Sequence, residues 1–207
     1  MNRKETFDEI DKHLLEDSNP SVFLKKLYDE GGIFPDIADL AKLEQEPKYH
    51  PEGNVFNHVM LVVDEAARLR DKSDDARALM WAALFHDIGK LTTTKKRKGR
   101  WTSYNHDKEG SEKVSEFMEL FHQDEEFIKK VSNLVKYHMH YLYVEKNLPF
   151  ADIQGLVKET SVNDLYLLSI ADRCGRGGLT ESERNNIEIS VDEFKRKIKR
   201  FKHKQIQ

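Results

Sequence analysis

The chain has 207 residues, with 34 lysines and arginines against 37 aspartates and glutamates, so its formal net charge is −3. This length predicts one domain of ordinary size and leaves too few residues for a second enzyme domain. The near-neutral charge excludes a general electrostatic attraction to nucleic acid. The single cysteine, Cys174, cannot form an internal disulfide and indicates a reducing compartment. Because no apolar run is long enough to span a bilayer and no signal peptide is recognised, we expect a cytoplasmic protein without a membrane partner.

Apolar residues recur with helical period along nearly the whole chain, so the sequence predicts an all-α protein. Helices are predicted around residues 7–14, 22–28, 36–43, 55–69, 75–86, 111–121, 125–138, 149–158, 163–172 and 181–203. Asp75 and Asn163 are candidate N-caps, and Pro149 is placed for a first turn. Helical period disappears from Thr92 to Asp107, where a short hairpin or loop is expected. We divide the chain into N-terminal helices (1–31) that pack on the core, a main domain (32–178) and a C-terminal helix (179–207).

An adjacent His86 and Asp87 follow the apolar run 82–85, which reads as a buried helix. An imidazole or carboxylate directed into a core costs several kcal/mol unless it is paired or bound to a metal, so the doublet suggests a divalent ion. The partial negative charge of the last helical carbonyls further favours a cation there. Gly89 is expected to supply a flexible exit from the helix. The alternative is a helix end with a solvated histidine and aspartate.

Three further polar residues lie on helical stripes that are otherwise apolar. His138 extends the stripe that runs from Phe127 through Val135, and Asp172 follows Leu168 and Leu165 on another. His58 lies one turn before Val62 in a run that is apolar on most of its circumference. A lone core histidine is usually only hydrogen-bonded, but three inward polar residues together with the doublet favour one divalent metal site.

The chain resembles the HD-domain metal-dependent phosphohydrolases, whose histidine, His-Asp doublet and distant aspartate match His58, His86, Asp87 and Asp172 in order. The resemblance implies a single helical bundle in which these four residues hold a metal ion. It is closest to the HD domain of bacterial tRNA nucleotidyltransferases, the CCA-adding enzymes, in four segments and covers roughly residues 32–178. These segments are residues 48–58, 86–90, 106–110 and 171–176.

That branch implies phosphatase, 2'-nucleotidase and 2',3'-cyclic phosphodiesterase activities. The sequence departs from the branch in its front half, because it contains no Gly-rich nucleotidyltransferase loop followed by paired catalytic aspartates. We therefore do not carry over nucleotide addition to tRNA.

The implied cofactor is a divalent ion (Mn, Mg, Ni, Co, Fe or Zn), with one or two ions in each chain. In HD hydrolases with a second ion, additional histidines from the middle of the domain hold it, which makes His106 and His138 the candidates here. His140, two positions after His138, is expected to face elsewhere on a continuing helix and to be exposed.

Substrate phosphate also requires positive groups. Lys90 closely follows the His86–Asp87 doublet and Arg173 directly follows Asp172, so we predict that they act with Asp87 in catalysis and that they bind phosphate. Arg176 and His50 are weaker substrate-binding candidates, and a packed loop histidine is the alternative for His50. The basic run from Lys95 to Arg100, with Trp101 and Tyr104 behind it, is either a solvated loop or a contact for a polynucleotide backbone or base.

Three functions are consistent with the sequence. The first is a metal-dependent phosphohydrolase of nucleotides or RNA ends, the second is a hydrolase of another small phosphate ester or signalling nucleotide, and the third is a non-catalytic RNA-binding module with a structural metal. The apolar stripe of the last helix can dock on its own domain or on a second chain, so a homodimer through that helix is an open alternative.

Overall fold

A computed structural model describes residues 2–204 of the chain, and the predicted all-α class is confirmed. The described helices, in chain order, are α1 (Arg3–Glu16), α2 (Pro20–Asp29), α3 (Pro35–Asp39), α4 (Val55–Leu69), α5 (Ala76–Phe85), α6 (Lys90–Thr93), α7 (His106–Leu120), α8 (Glu125–Tyr137), α9 (His140–Glu145), α10 (Ile153–Glu159), α11 (Val162–Cys174) and α12 (Glu181–Lys204). Single 3₁₀ turns, Leu40–Lys42 and Arg70–Lys72, follow α3 and α4. Two short strands, β1 (Lys95–Arg97) and β2 (Arg100–Thr102), separate α6 from α7.

Helix α5 lies at the centre of the bundle, because every side chain from Ala78 to Phe85 is buried. It contacts α1, α4, α8 and α11, while α7 packs along α8. A helix that is apolar on all sides must be surrounded by other helices. The end of α5 is therefore enclosed by α4, α8 and α11, and the predicted polar doublet occurs at that end.

The N-caps decide where several helices begin. The carboxylate of Asp75 accepts a hydrogen bond from the Ala78 amide at 3.0 Å, as the sequence predicts. The other two predicted starts are wrong. Helix α10 begins at Ile153 behind an Asp152 cap, four residues after Pro149, and helix α11 is capped by Ser161, whose hydroxyl accepts from the Asp164 amide at 3.0 Å.

Strands β1 and β2 form an antiparallel hairpin inside the segment where helical period disappears, with Lys96 opposite Trp101. The two turn residues, Lys98 and Gly99, have φ values of 49° and 79°, which is the backbone of a type I′ turn. The side chains of β1 are exposed. Helix α7 begins directly after the hairpin at His106, one turn before the predicted start at Ser111.

The apolar stripe of α12 is covered within the chain. Val191, Phe194 and Ile198 are buried, and α12 packs on α11. The stripe therefore docks on its own domain, and a homodimer through this helix stays a prediction that would have to use its other faces. Among residues 2–204, no helix combines the length and the apolar character needed to cross a membrane.

Candidate metal centre

Four side chains from three helices converge at the end of α5. The Nε2 atom of His58, from α4, lies 3.0 Å from Oδ1 of Asp172, from α11, and 3.9 Å from Oδ2 of Asp87. The Nε2 atom of His86 lies 3.4 Å from Oδ2 of Asp87 and 3.9 Å from Oδ1 of Asp172. The structure therefore brings together the four residues that the sequence predicted as metal ligands.

His86 supplies an independent test of whether a cation fits this cluster. Its Nδ1 atom lies 2.9 Å from the carbonyl oxygen of Ala83, so the proton belongs on Nδ1 and the Nε2 lone pair faces the carboxylates. The Nε2 atom is buried and has no hydrogen-bond partner. A buried nitrogen without a partner is costly, whereas a divalent ion would use its lone pair. The donor set of two imidazoles and two carboxylates suits such an ion.

A second cluster shares Asp87. The Nε2 atom of His106 lies 3.4 Å from Oδ1 of Asp87 and 3.1 Å from the Nε2 atom of His138. The Nδ1 atom of His106 lies 2.7 Å from the Ser103 carbonyl oxygen, and that of His138 lies 2.6 Å from the Val135 carbonyl oxygen. Both rings therefore present Nε2 to the same space as Asp87, which is the arrangement expected for a second ion.

Glu52 is a member of the site that sequence reasoning missed. Its Oε1 atom lies 2.8 Å from Nδ1 of His50 and 3.0 Å from Nδ1 of His58, and its side chain is buried. A carboxylate on the far nitrogen of a ligand histidine fixes the tautomer and the orientation of the ring. His50 therefore lies beside His58 and contacts Glu52. In the sequence, this contact is indicated only by the place of Glu52, two residues after the candidate site residue His50.

The charges of the first cluster are strongly coupled. Burial alone would lower the pKa of His58, but the hydrogen bonds to Asp172 and Glu52 outweigh it and raise this pKa to about 9. Burial opposes ionisation of Asp87, yet the ammonium group of Lys90, 2.7 Å from Oδ2, holds the pKa of this carboxyl well below its usual range. Asp172, hydrogen-bonded to His58, also has a lowered pKa. Both carboxylates are therefore ionised and available to a cation.

In the second cluster the histidine pKa values are lowered, whereas the pKa of His58 in the first cluster is raised. Burial and the neighbouring His138 lower the pKa of His106 to about 4. Burial likewise lowers the pKa of His138. Both rings are neutral at pH 7, which is the protonation state in which imidazole binds a metal.

Gly89 has a role that differs from the predicted flexible exit. Its φ is −66°, an ordinary helical value, so no glycine is needed for the backbone conformation. The close approach of α7 requires it instead, because a Cβ atom at Gly89 would lie 2.0 Å from the His106 carbonyl oxygen and 2.5 Å from the Gly110 amide nitrogen. This contact holds the doublet next to His106.

A cavity of about 400 Å³ opens onto both clusters. Its lining contains the predicted residues His50, His58, Asp87, Lys90, His106, His138, Asp172, Arg173 and Arg176, together with Tyr49, Met139, Leu142 and Lys146, which were not predicted. Lys90 is already paired, because its Nζ atom lies 2.7 Å from Oδ2 of Asp87 and donates to Oε1 of Gln45 at 2.8 Å. Arg173, Arg176 and Lys146 therefore carry the cationic charge that remains for a substrate.

The prediction that His140 is exposed is wrong. His140 is buried, and neither of its ring nitrogens has a hydrogen-bond partner within the described residues. Helix α8 ends at Tyr137 and α9 begins at His140, so the chain changes direction between the two histidines. His140 packs against Tyr137 and Tyr143 and takes no part in either cluster.

The chain is similar in sequence to curated proteins over most of its length. The chain is similar to the multifunctional CCA protein of Pasteurella multocida, with 32% identity over 186 residues that cover 84% of this chain and 43% of the relative. It is also similar to the multifunctional CCA protein of Methylococcus capsulatus, with 30% identity over 173 residues, 78% of this chain and 39% of the relative. A shorter match, 43% identity over 82 residues, joins 38% of this chain to 19% of the multifunctional CCA protein of Thioalkalivibrio sulfidiphilus. The chain thus spans less than half the length of these relatives.

A family model described as "HD domain" matches residues 55–177, more than half of the chain. The match begins with helix α4, which carries His58, and ends just after Arg176. It therefore includes both clusters and nearly all of the residues that line the cavity. The chain belongs to the HD domain family.

Proposed function

We propose that the protein is a metal-dependent phosphohydrolase that acts on nucleotides or RNA ends, as a 2',3'-cyclic phosphodiesterase, 2'-nucleotidase or phosphatase. The HD superfamily consists generally of metal-dependent phosphohydrolases. The observation that carries the proposal is the convergence of the unpartnered Nε2 atom of His86 with His58, Asp87 and Asp172 at the floor of a cavity.

In this proposal His58, His86, Asp87 and Asp172 hold one divalent ion, and Asp87 holds a second together with His106 and His138. Ions in such sites lower the pKa of water and offset negative charge that develops on a phosphate. The protein contributes preorganisation. Ala83, Ser103 and Val135 fix three imidazole tautomers through their carbonyl oxygens, and Glu52 fixes that of His58.

The cavity itself argues against a purely structural metal. His58, Asp87, Asp172, His106 and His138 all line it, so the protein does not close the ligand sphere. Structural sites are closed by protein ligands, whereas catalytic sites keep an open position. This feature favours the hydrolase over a non-catalytic module.

The remaining cations of the cavity suit a phosphate. Arg173 and Arg176 lie in the last turn of α11 and just beyond it, and the Nε atoms of both are buried without a hydrogen-bond partner. A guanidinium binds phosphate oxygens with two parallel hydrogen bonds. We infer that Arg173 orients the phosphate beside Asp172, and that Lys90 holds Asp87 in place through its ion pair.

An apolar part of the lining suits a nucleoside. Tyr49 is 54% exposed although it lines the cavity, and Met139 and Leu142 line it as well. An exposed aromatic ring beside a phosphate site can stack on a base, and such stacking contributes about 1–3 kcal/mol. The relatives named multifunctional CCA protein add to the case for nucleotide or RNA-end substrates.

A screen of phosphate esters with several divalent ions tests the proposal. It includes 2',3'-cyclic AMP, 2'-AMP, p-nitrophenyl phosphate and a short RNA with a 2',3'-cyclic end. We expect ion-dependent hydrolysis by the wild-type protein and loss of at least about a thousandfold in Asp87→Asn. Asp39→Asn, at the last residue of α3 and outside the cavity lining, is the matched control. Hydrolysis that survives thorough chelation, or an Asp87→Asn variant as active as the control, would contradict the proposal.

A further inference from the structure

Three cations in the cavity have no counter-charge. They are Arg173 and Arg176, which are half-buried, and Lys146, which lies exposed on the rim just after α9. Within residues 2–204 none of the three forms an ion pair with a carboxylate, and the buried Nε atoms of both arginines lack an acceptor. The guanidinium of Arg173 lies over the Tyr141 ring, 5.4 Å from its centroid.

These unpaired charges exceed what one phosphodiester needs. The three carboxylates of Glu52, Asp87 and Asp172 offset one divalent ion and the ammonium group of Lys90, which is paired with Asp87. Three positive charges are then left for the substrate, and a second ion would add to this excess. A half-buried arginine without a counter-charge is costly, so the substrate is expected to bring negative charge to both Arg173 and Arg176.

The positions of the three residues separate two binding regions. Arg173 directly follows Asp172, so its charge belongs to the phosphate that lies at the metal cluster. Arg176 lies three residues further on, beyond Gly175 at the C-cap of α11, and Lys146 comes from a different helix. Both side chains line the same cavity, and neither residue adjoins a member of the metal clusters in the chain.

We propose that Arg176 and Lys146 form a second anion subsite, which binds a second phosphate group of the substrate while the first is hydrolysed. The substrate that uses both regions is therefore a nucleotide or RNA end with two phosphate groups, whereas a monophosphate would bind at the metal cluster alone and more weakly. The cavity volume of about 400 Å³ lies within the usual range for small-molecule sites. This inference rests on the proposed function and specifies its substrate.

Equilibrium dialysis tests the subsite without depending on catalysis. The full-length protein is dialysed against adenosine 2'-monophosphate and adenosine 2',5'-bisphosphate, and the intact probe is quantified by chromatography. Because hydrogen bonds to charged groups contribute more than neutral ones, we expect the wild-type protein to bind the bisphosphate about tenfold or more tightly. In the Arg176→Gln, Lys146→Gln double variant the ratio of the two affinities should fall to about one.

The control is the Lys25→Gln, Lys26→Gln variant, which removes the same charge from the exposed face of α2 and should keep the wild-type ratio. Circular dichroism melting curves check that both variants fold. Equal affinities for the two probes in the wild-type protein, or an unchanged ratio in the double variant, would overturn the inference.

A third probe, a dinucleotide with a terminal 2'-phosphate, distinguishes the sources of the second phosphate. Tighter binding of the dinucleotide than of the bisphosphate assigns the subsite to RNA ends, and the reverse order assigns it to free nucleotides.

Failure of the proposed function is recognised separately. It would appear as absent hydrolysis in the ester screen, whereas failure of this inference would appear as a binding ratio of one in a protein that hydrolyses monophosphates.

Discussion

The Nε2 atoms of His106 and His138 lie 3.1 Å apart, and that of His106 lies 3.4 Å from Oδ1 of Asp87. Because the Nδ1 atom of each ring lies within hydrogen-bond distance of a backbone carbonyl oxygen, two lone pairs are directed at each other. This arrangement is unfavourable unless a proton or a cation lies between them. Since burial lowers the pKa of both rings, a cation is the better occupant.

The first prediction follows from this pair. His138→Ala should lower the metal content by about one ion per chain while the protein stays folded, because the first cluster does not include His138. Elemental analysis after gel filtration measures the stoichiometry. His140→Ala removes a buried histidine two positions away that belongs to neither cluster, and it should leave the stoichiometry unchanged. An unaltered metal content in His138→Ala would contradict a second ion at His106 and His138 and would mean that the site holds one ion.

The second prediction concerns pH. The pKa of His58 is about 9 in the folded protein against 6.5 for an ordinary histidine, so the protonated ring stabilises the metal-free fold. This contribution is complete below about pH 6.5 and is lost as the pH rises through about 9. Metal binding must displace the same proton, so the affinity for Mn²⁺ should rise about tenfold per pH unit up to about pH 9. Titrations of the metal between pH 6 and 9 measure this slope.

The Glu52→Gln variant tests whether this carboxylate raises the pKa of His58. Removal of the carboxylate beside Nδ1 of His58 should lower the pKa of the ring and move the whole affinity profile to lower pH. Urea denaturation of the chelated protein provides an independent reading, because the wild-type stability should decline between pH 6.5 and 9 and the variant should decline earlier. A metal affinity that does not vary with pH would exclude a protonated His58.

The third prediction concerns Gly89. Gly89→Ala would bring a methyl group against the backbone of His106 and Gly110, so α7 must move away from the doublet. We expect the free energy of unfolding to fall by about 3 kcal/mol or more, with loss of the second ion. Urea denaturation and elemental analysis measure the two effects. Gly177→Ala is the control, because its nearest contact is Cβ of Glu52 at 3.4 Å; similar behaviour of the two variants would refute the close-packing role.

The fourth prediction concerns the basic hairpin. Lys96 and Arg97 lie over the rings of Trp101 and Tyr104, at 5.2 Å and 4.9 Å from the ring centroids, and Tyr104 is 67% exposed. Replacement of Lys95, Lys96, Arg97 and Lys98 by glutamine should weaken action on RNA ends and spare a 2',3'-cyclic mononucleotide. The effect on RNA should shrink as salt rises, because exposed charges are screened over about 10 Å at 0.1 M ionic strength.

Values of kcat/KM for both substrates at several salt concentrations measure the hairpin effect. Replacement of four exposed lysines on α1 and α2 removes the same charge elsewhere and serves as the control; these are Lys4, Lys12, Lys25 and Lys26. Equal losses on both substrates would indicate a defect in the fold or in the site. Unchanged activity on RNA would identify the hairpin as a solvated loop.

Much of the site could be predicted because each ligand candidate interrupts an apolar helical stripe. His58, His138 and Asp172 are polar residues at positions that the helical period assigns to the core, and all three face the cavity. Helix period fixes the face of a residue but not its neighbours across the bundle. The sequence therefore named His106 and His138 together only through the family resemblance, and their 3.1 Å contact depends on the packing of α7 on α8.

The errors have local causes. His140 was assigned to a continuing α8, and the interruption at Met139 turned it inward. Ser161 caps α11 in place of Asn163, and Asp152 caps α10, which does not begin at Pro149. Serine, aspartate and asparagine are all common N-caps, so the sequence alone does not choose between neighbouring candidates. Glu52 reaches His58 from a loop, and Lys146 reaches the cavity from the end of a short helix; no helical period indicates direction at either position. Such residues can be assigned only from the tertiary structure.

Asp87 contributes one carboxylate oxygen to each cluster. An ion in the first cluster fixes this carboxylate through Oδ2 and so reduces the conformational entropy that a second ion must remove at Oδ1. The shared anion also weakens the repulsion between the two cations. Loading should therefore be cooperative, and by thermodynamic reciprocity each ion strengthens the retention of the other. A protein that loses one ion during purification would then tend to lose both.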